Sequence, residues 1–531
     1  MTTGTDFESE SNMKIKLKIN DSSSPTVQLF SWRKVRMAIV IFTLGALQLT
    51  GMATDAEPST KILPKSLQQK VEKFRLALLS QGFEVAEGDF HLFSIEDCKY
   101  AVKSIGNCLG NNPTAPYIIP SLPLWPDEHV DPHMNQLLGP VAENQGWTHR
   151  LGEQEALVVL GELPPPGRYF GFQPYIFSRE GQLDEADVLF QSLTDPFMKS
   201  ILFMKSPNPS RPLVFSSIGD SINNVVIEHQ SGAAFGEQRF FIMTADAGLE
   251  KEMRQVLLQS GVPDTRHIFK APIPASFAKL GLNSSADDFM TVLRYALPED
   301  EIAGDQWRQQ LPLVVFRVRS HERNQIATPY SVSVRETRSV RSELNLQHSL
   351  DKLVVGLKNR WAQMNSVSSE FRSLLLAMDL LGEHCIKRPM NCLGDTADAD
   401  YQISETASVD QDEVLAVAGT LGTVTGNATY TSLAVNRIPE LIGVSNLTDK
   451  DLKGTASDLF PGSQDSEKLY LVYFARDCGN MKHCHPITEA MVPHGEQLKF
   501  IQRNYVVPGT TRGPAPEGLV NPKMIVLKKT H

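Results

Sequence analysis

Positive charge is what this sequence is short of. Its 51 Lys and Arg stand against 61 Asp and Glu, a formal net charge of −10. Proteins that grip nucleic acid draw much of their affinity from neutralised phosphates and show a basic face. The balance here speaks against that partner class, and no nucleic acid is expected. The one basic stretch past the N-terminus, Arg335, Arg338 and Arg341 with Glu336 and Glu343 close by, reads as a solvated loop or helix start.

Also missing are a Walker-type phosphate loop, a dinucleotide fingerprint after a strand and a His-Glu-x-x-His pair. No cofactor is implied, and no reaction is fixed by a motif. No repeat with a period of about 20–50 residues is present, which excludes a solenoid. Nor does any apolar run reach the roughly 20 residues that cross a bilayer comfortably.

What is present is enough apolar material for real cores: apolar residues make up 41% of 531 positions. A chain this long favours two domains of about 200 residues each over a single core. Residues 1–36 are polar and Ser-rich, with Lys14, Lys16, Lys18, Arg33, Lys34 and Arg36 as basic members. From Met37 the chain reads MAIVIFTLGALQLTG, fifteen uncharged residues followed by Ala53 and Ala56. The 37–56 segment is expected to act as a cleaved signal peptide. The alternative is a signal anchor holding the protein to a membrane through residues 37–52, and a buried core helix comes third. Both favoured readings put the rest of the chain on the secreted or lumenal side of the secretory pathway.

Six cysteines fall into three close pairs, Cys98 with Cys108, Cys385 with Cys392, and Cys478 with Cys484. In an oxidising compartment each suits a local disulfide. Zinc is the rival reading, since His384, His483 and His485 flank cysteines, but the intervals are wide for tetrahedral ligation. Asn283, Asn427 and Asn446 each open an Asn-x-Ser/Thr acceptor.

Periodicity predicts a helix at 65–81 on Leu67, Val71, Phe74 and Leu78, and a second after Asp246, an N-cap residue, that Gly261 and Pro263 stop. A third is predicted from Ser285 through Tyr295. The proline-rich run from Asn111 to His133 predicts no regular element. Strands are predicted at 155–161, 167–177, 212–217, 224–229, 239–246 and 311–320. The expected boundary falls between residues 325 and 326, so that 57–325 forms a first α+β domain. The second, 326–531, opens with a helical hairpin through Leu346–Met364 and Phe371–Leu381 and ends in a β-rich part. Strands that cluster without strict strand–helix alternation point to an α+β class.

The aromatic strand GRYFGFQPYIF and the C-terminal phrase RNYVVPGTTRGPAPEGL resemble bacterial proteins of unknown function with tandem β-rich domains, a resemblance that implies no activity. Gly219-Asp220-Ser221 after the strand PLVF resembles the nucleophile block of the GDSL esterase/lipase family. That resemblance implies Ser221 as nucleophile, with the Asp-x-x-His pair Asp264 and His267 as its partners. The pair lies only about forty residues on, and the family's Gly-x-Asn-Asp block is missing. The residues themselves read equally as a turn. Three further clusters carry candidate chemistry. Asp127, His129, Asp131 and His133 offer oxygen and imidazole ligands for a divalent metal, or an exposed acidic loop. Asp395, Asp398 and Asp400 resemble a calcium loop without its closing Glu, and read as a solvated turn. His483, His485 and His494 offer acid–base chemistry near a staple. The expectation is a disulfide-bonded globular protein that binds a small-molecule or protein ligand. The alternative is an extracellular hydrolase of an ester or small apolar substrate.

Overall fold

Aromatic and β-branched runs dominate the chain, and they pair into three sheets. A computed structural model describes residues 61–320, 326–331, 335, 337–375 and 380–529. The expectations about residues 1–56 therefore lie outside the described residues. Residues 60–531 cluster as one unit. Helices and several sheets together make the protein α+β, as expected.

An 11-stranded sheet holds the first half. Nine strands run in the order Leu213–Ser217, Gly167–Ser178, Asp288–Pro298, Tyr117–Pro123, Phe83–Phe93, Leu313–Ser320, Glu155–Glu162, Gln238–Thr244, Ile268–Pro272, and the short strands Gln145–Gly146 and Ile222–Asn223 pair beside this path with Tyr117–Pro123 and Gly167–Ser178. Phe172 and Phe241 sit six strands apart in that order. In a flat sheet they would be about 29 Å apart, yet their stacked rings are 4.7 Å apart. The sheet therefore curls over its own apolar face and closes a core around Phe90, Phe170 and Phe289. Inside it Arg317, fully buried, donates to Glu155 and Glu128, each at 2.6 Å. A buried cation keeps its charge at tolerable cost only with such partners.

The second half holds two five-stranded sheets that face each other, with Phe474 of one 4.7 Å from Phe500 of the other. The helix Gln347–Arg360 covers one outer face through Leu350, Leu353 and Leu357.

The helix Lys65–Ser80 buries Leu67, Val71, Phe74 and Leu78, the four positions its period marks. Asp246 caps Ala247–Gln259 by accepting from the Gly248 amide at 2.8 Å. Four expectations are corrected. The 224–229 segment, expected as a strand, is the helix Asn224–Ser231, which the Asn223 side chain starts by accepting from the Val225 and Val226 amides. The 285–295 segment is not a helix but part of the strand Asp288–Pro298. Its run FMTVLRY is buried on both faces, and a fully buried strand shows no alternation to tell it from a helix. The proline-rich run contains the strand Tyr117–Pro123. Asp288–Pro298 pairs with it only at Tyr117 and Ile118, so at Pro120 a ladder is needed on one side alone. Finally, no helical hairpin forms among the described residues. The first helix ends at Arg360, Met364–Glu370 pairs antiparallel with Lys523–Lys529, and Arg372–Ser373 is again extended. The Ser-rich sequence NSVSSE favours that exposed edge strand over a helix.

Candidate functional site

The strand Leu213–Ser217 ends in the turn that carries Ser221. Gly219 supplies φ +66°, a conformation that side chains resist. Ser221 follows, and Ile222–Asn223 pairs back onto Gly171 and Phe172. Asn223 then caps the helix Asn224–Ser231 by accepting from the Val225 and Val226 amides. The turn is thus pinned at both ends, and it forms one wall of a cleft of about 530 Å³. Asp220, His229, Lys270, Arg335 and Arg512 contribute polar groups to the other walls, with Ile218, Val226 and Phe277 as apolar ones.

Ser221 is 3% exposed, and its Oγ is buried without a hydrogen-bond partner. Arg512 donates to Asp220 at 2.5 Å. Arg335 donates to the Ser217 carbonyl at 3.1 Å, while the Ser217 amide and hydroxyl donate to Asp395 at 2.8 and 2.6 Å. Lys270 enters no ion pair among the described residues, and its ammonium lies 5.8 Å from the Tyr330 ring.

The implied triad does not assemble. His267 Nδ1 is 3.1 Å from Asp264, but neither residue lines the cleft of Ser221. Asp264 caps a short turn and is gripped by Arg266, whose hydrogen bond holds its carboxyl well below the usual range. Ser221 therefore faces a cleft without a base bonded to its hydroxyl.

The other candidates fall elsewhere. Asp127 pairs with Arg319 at 2.7 Å. Asp131 caps a short helix and accepts from Asn208 at 2.6 Å. His129 and His133 stand exposed beside them. Among the described residues no group of three or more His, Cys, Asp and Glu gathers where a metal would sit. Asp395, Asp398 and Asp400 are not a solvated turn: all three are buried in the seam between the halves. Asp398 accepts from Tyr169 and Asn223 at 3.0 and 3.1 Å, and Asp400 from Ser373 at 2.8 Å. The chain's fold inserts this loop beneath the 11-stranded sheet, where local composition does not reveal it.

His483 lies 3.8 Å from Asp458 and His494 3.8 Å from Asp410. His485 rests on the Phe474 ring, and burial lowers its pKa. All six cysteines form the three neighbour disulfides, with Cα separations of 5.1, 6.0 and 5.6 Å. No thiolate is left for zinc, and such pairs are what an oxidising, extracellular or lumenal compartment supports. Asn283 is exposed in its turn. Asn446 is half-buried. Asn427 is fully buried and donates to Glu343 at 3.1 Å, a setting that has no room for a glycan.

Sequence reasoning missed the cationic walls. Arg335 and Arg338 are half-buried stitches, while Arg341 stays exposed as expected and still bonds a carbonyl. Arg338 donates to the Thr396 and Ala399 carbonyls, both at 2.9 Å, and Arg341 to that of Gly426 at 2.9 Å. Their spacing of three in an extended polar stretch was the only trace. No helix among the described residues is long and apolar enough to cross a membrane.

No family model matches the sequence, and no curated protein matches it. Among solved structures, the crystal structure of the VPA0106 protein from Vibrio parahaemolyticus matches at a TM-score of 0.33 and 8% identity. The match covers 87% of this chain and 99% of that one.

Proposed function

We propose that the chain is a secreted or lumenal binding protein, delivered by the apolar segment at Met37, whose Ser221 cleft takes a small organic carboxylate. The supporting observation is Ser221, whose Oγ is buried without a partner, in the wall of a cleft that also carries Lys270 and Arg335. A buried hydroxyl without a partner costs free energy until a ligand supplies one. Asp220 and Glu383 also line the cleft, but Lys270, which enters no ion pair among the described residues, favours an anionic group, and Ile218, Val226 and Phe277 suit a short apolar body. The hydrolase reading lacks a base bonded to the Ser221 hydroxyl: His229 lines the same cleft but makes no hydrogen bond to it.

Two measurements test this. Folded protein treated with a fluorophosphonate probe should carry no label at Ser221; labelling there overturns the binding reading in favour of the hydrolase. Thermal melting in a panel of acetate, succinate, benzoate and citrate should show stabilisation by at least one. That stabilisation should be weakened in Ser221→Ala and in Lys270→Gln, and an identical response in wild type and both variants overturns the site.

A further inference from the structure

A second, smaller cavity of about 30 Å³ lies in the seam between the 11-stranded sheet and one sheet of the second half. Two arginines reach it from opposite sides. Arg294 stands on Asp288–Pro298, paired across the ladder with Tyr117, and is 3% exposed. Arg503 stands on Gln497–Tyr505, paired with Tyr401, and is also 3% exposed. Tyr505 lines the same space two residues further along that strand.

Among the described residues neither guanidinium has a carboxylate partner. Arg294 donates to the Tyr175 hydroxyl at 2.8 Å and to the Gly394 carbonyl at 3.0 Å, with its cation 5.0 Å from the Tyr117 ring. Among the described residues Arg503 lies 5.8 Å from the Tyr401 ring, and its Nη1 is buried with no partner. The phenols do not neutralise this charge, because burial pushes those of Tyr175, Tyr401 and Tyr505 up and keeps them protonated. Elsewhere the protein pairs its buried arginines with acids, as at Arg317 with Glu128 and Glu155, and at Arg211 with Asp288. Two buried cations that line one cavity without a carboxylate partner among the described residues carry a heavy desolvation cost.

We infer that this cavity binds a monatomic anion, chloride in physiological salt, held between Arg294 and Arg503. Size supports the class. A space of about 30 Å³ exceeds the roughly 10–15 Å³ that a water-sized occupant needs, so a halide fits. The lining supports it as well. Leu374, Leu393, Leu441 and Ile501 close the walls, and a weakly hydrated halide tolerates such surroundings better than a phosphate. The site is separate from the Ser221 cleft, and its fate does not depend on what that cleft binds.

Crystals of the purified protein grown in sodium bromide test the inference directly. An anomalous bromide peak between the two guanidinium groups is expected. In solution, the melting temperature in sodium chloride should exceed that in sodium gluconate of equal ionic strength by roughly 2 °C or more. The difference should vanish in Arg503→Met. Should that variant fail to fold, the wild-type bromide map decides alone. A cavity holding only water in those crystals, together with equal wild-type melting in both salts, overturns the proposal.

Discussion

Asp400 shows what burial does to a carboxylate that receives too little in return. Ser373 donates to one oxygen, while the other is buried without a partner. Desolvation pushes its pKa up to about 6. The folded value stands above the unfolded one, so between about pH 4 and 6 the folded chain holds a proton that the unfolded chain has released. Stability contributed by this group is present at low pH and is lost as pH rises through that window. Asp400→Asn removes the dependence. Relative to wild type, the variant should gain about 2–3 kcal/mol on going from pH 4 to pH 7, read from urea unfolding at a series of pH values. A constant difference across the series would place the raised pKa elsewhere. Nothing in the string Asp395-Thr-Ala-Asp398-Ala-Asp400 foretold this, because local sequence gives the charge of a residue but not the depth at which the chain will set it.

Among the elements, the loop closed by Cys385 and Cys392 is the one that links a staple to a site. The Asn391 amide donates to the Leu202 carbonyl at 2.8 Å, Cys392 to Val214 at 2.9 Å and Gly394 to Phe215 at 2.9 Å. The segment thereby continues the edge of Leu213–Ser217 and delivers Leu393 and Gly394 to the anion cavity. A crosslink spanning seven residues should stabilise by about 2–3 kcal/mol. The double variant Cys385→Ser with Cys392→Ser is expected to lose that much in urea unfolding. It should also show faster amide exchange at 391–394, and unchanged exchange there would mean that the strand edge holds the loop without the staple. Here the sequence was legible: close cysteine pairs in an oxidising compartment predicted each staple. Elements with one clear period were legible too, the helix Lys65–Ser80 foremost. The strand Asp288–Pro298 was not, because burial on both faces erased its alternation.

At the scale of the whole molecule, the seam decides how the two halves behave. Asp395, from the second half, accepts from the Ser217 amide and hydroxyl and from the Gly382 amide. Tyr169 of the large sheet lies 4.7 Å from Tyr505 and also bonds Asp398. These contacts lead to the expectation that the protein unfolds in one cooperative step, with near- and far-ultraviolet circular dichroism changing together. Asp395→Ala strands three buried donors at about 1 kcal/mol or more each, and should cost roughly 3 kcal/mol or more. Two separated transitions in wild-type protein would show instead that the halves fold independently, as the expected boundary at 325/326 implies.

Composition, spacing and period by themselves determined the α+β class, the three disulfides, the helices Lys65–Ser80 and Ala247–Gln259, and the position of the Ser221 turn after a strand. Those features depend on residues near one another in the chain, so the sequence carries them openly. Tertiary structure alone decided that Ser221 and His267 do not meet, that Arg335 walls a cleft, and that Arg294 and Arg503 share a cavity. Each of those depends on groups more than forty residues apart, and only the curling of the large sheet and its packing on the second half set their distances and their dielectric surroundings.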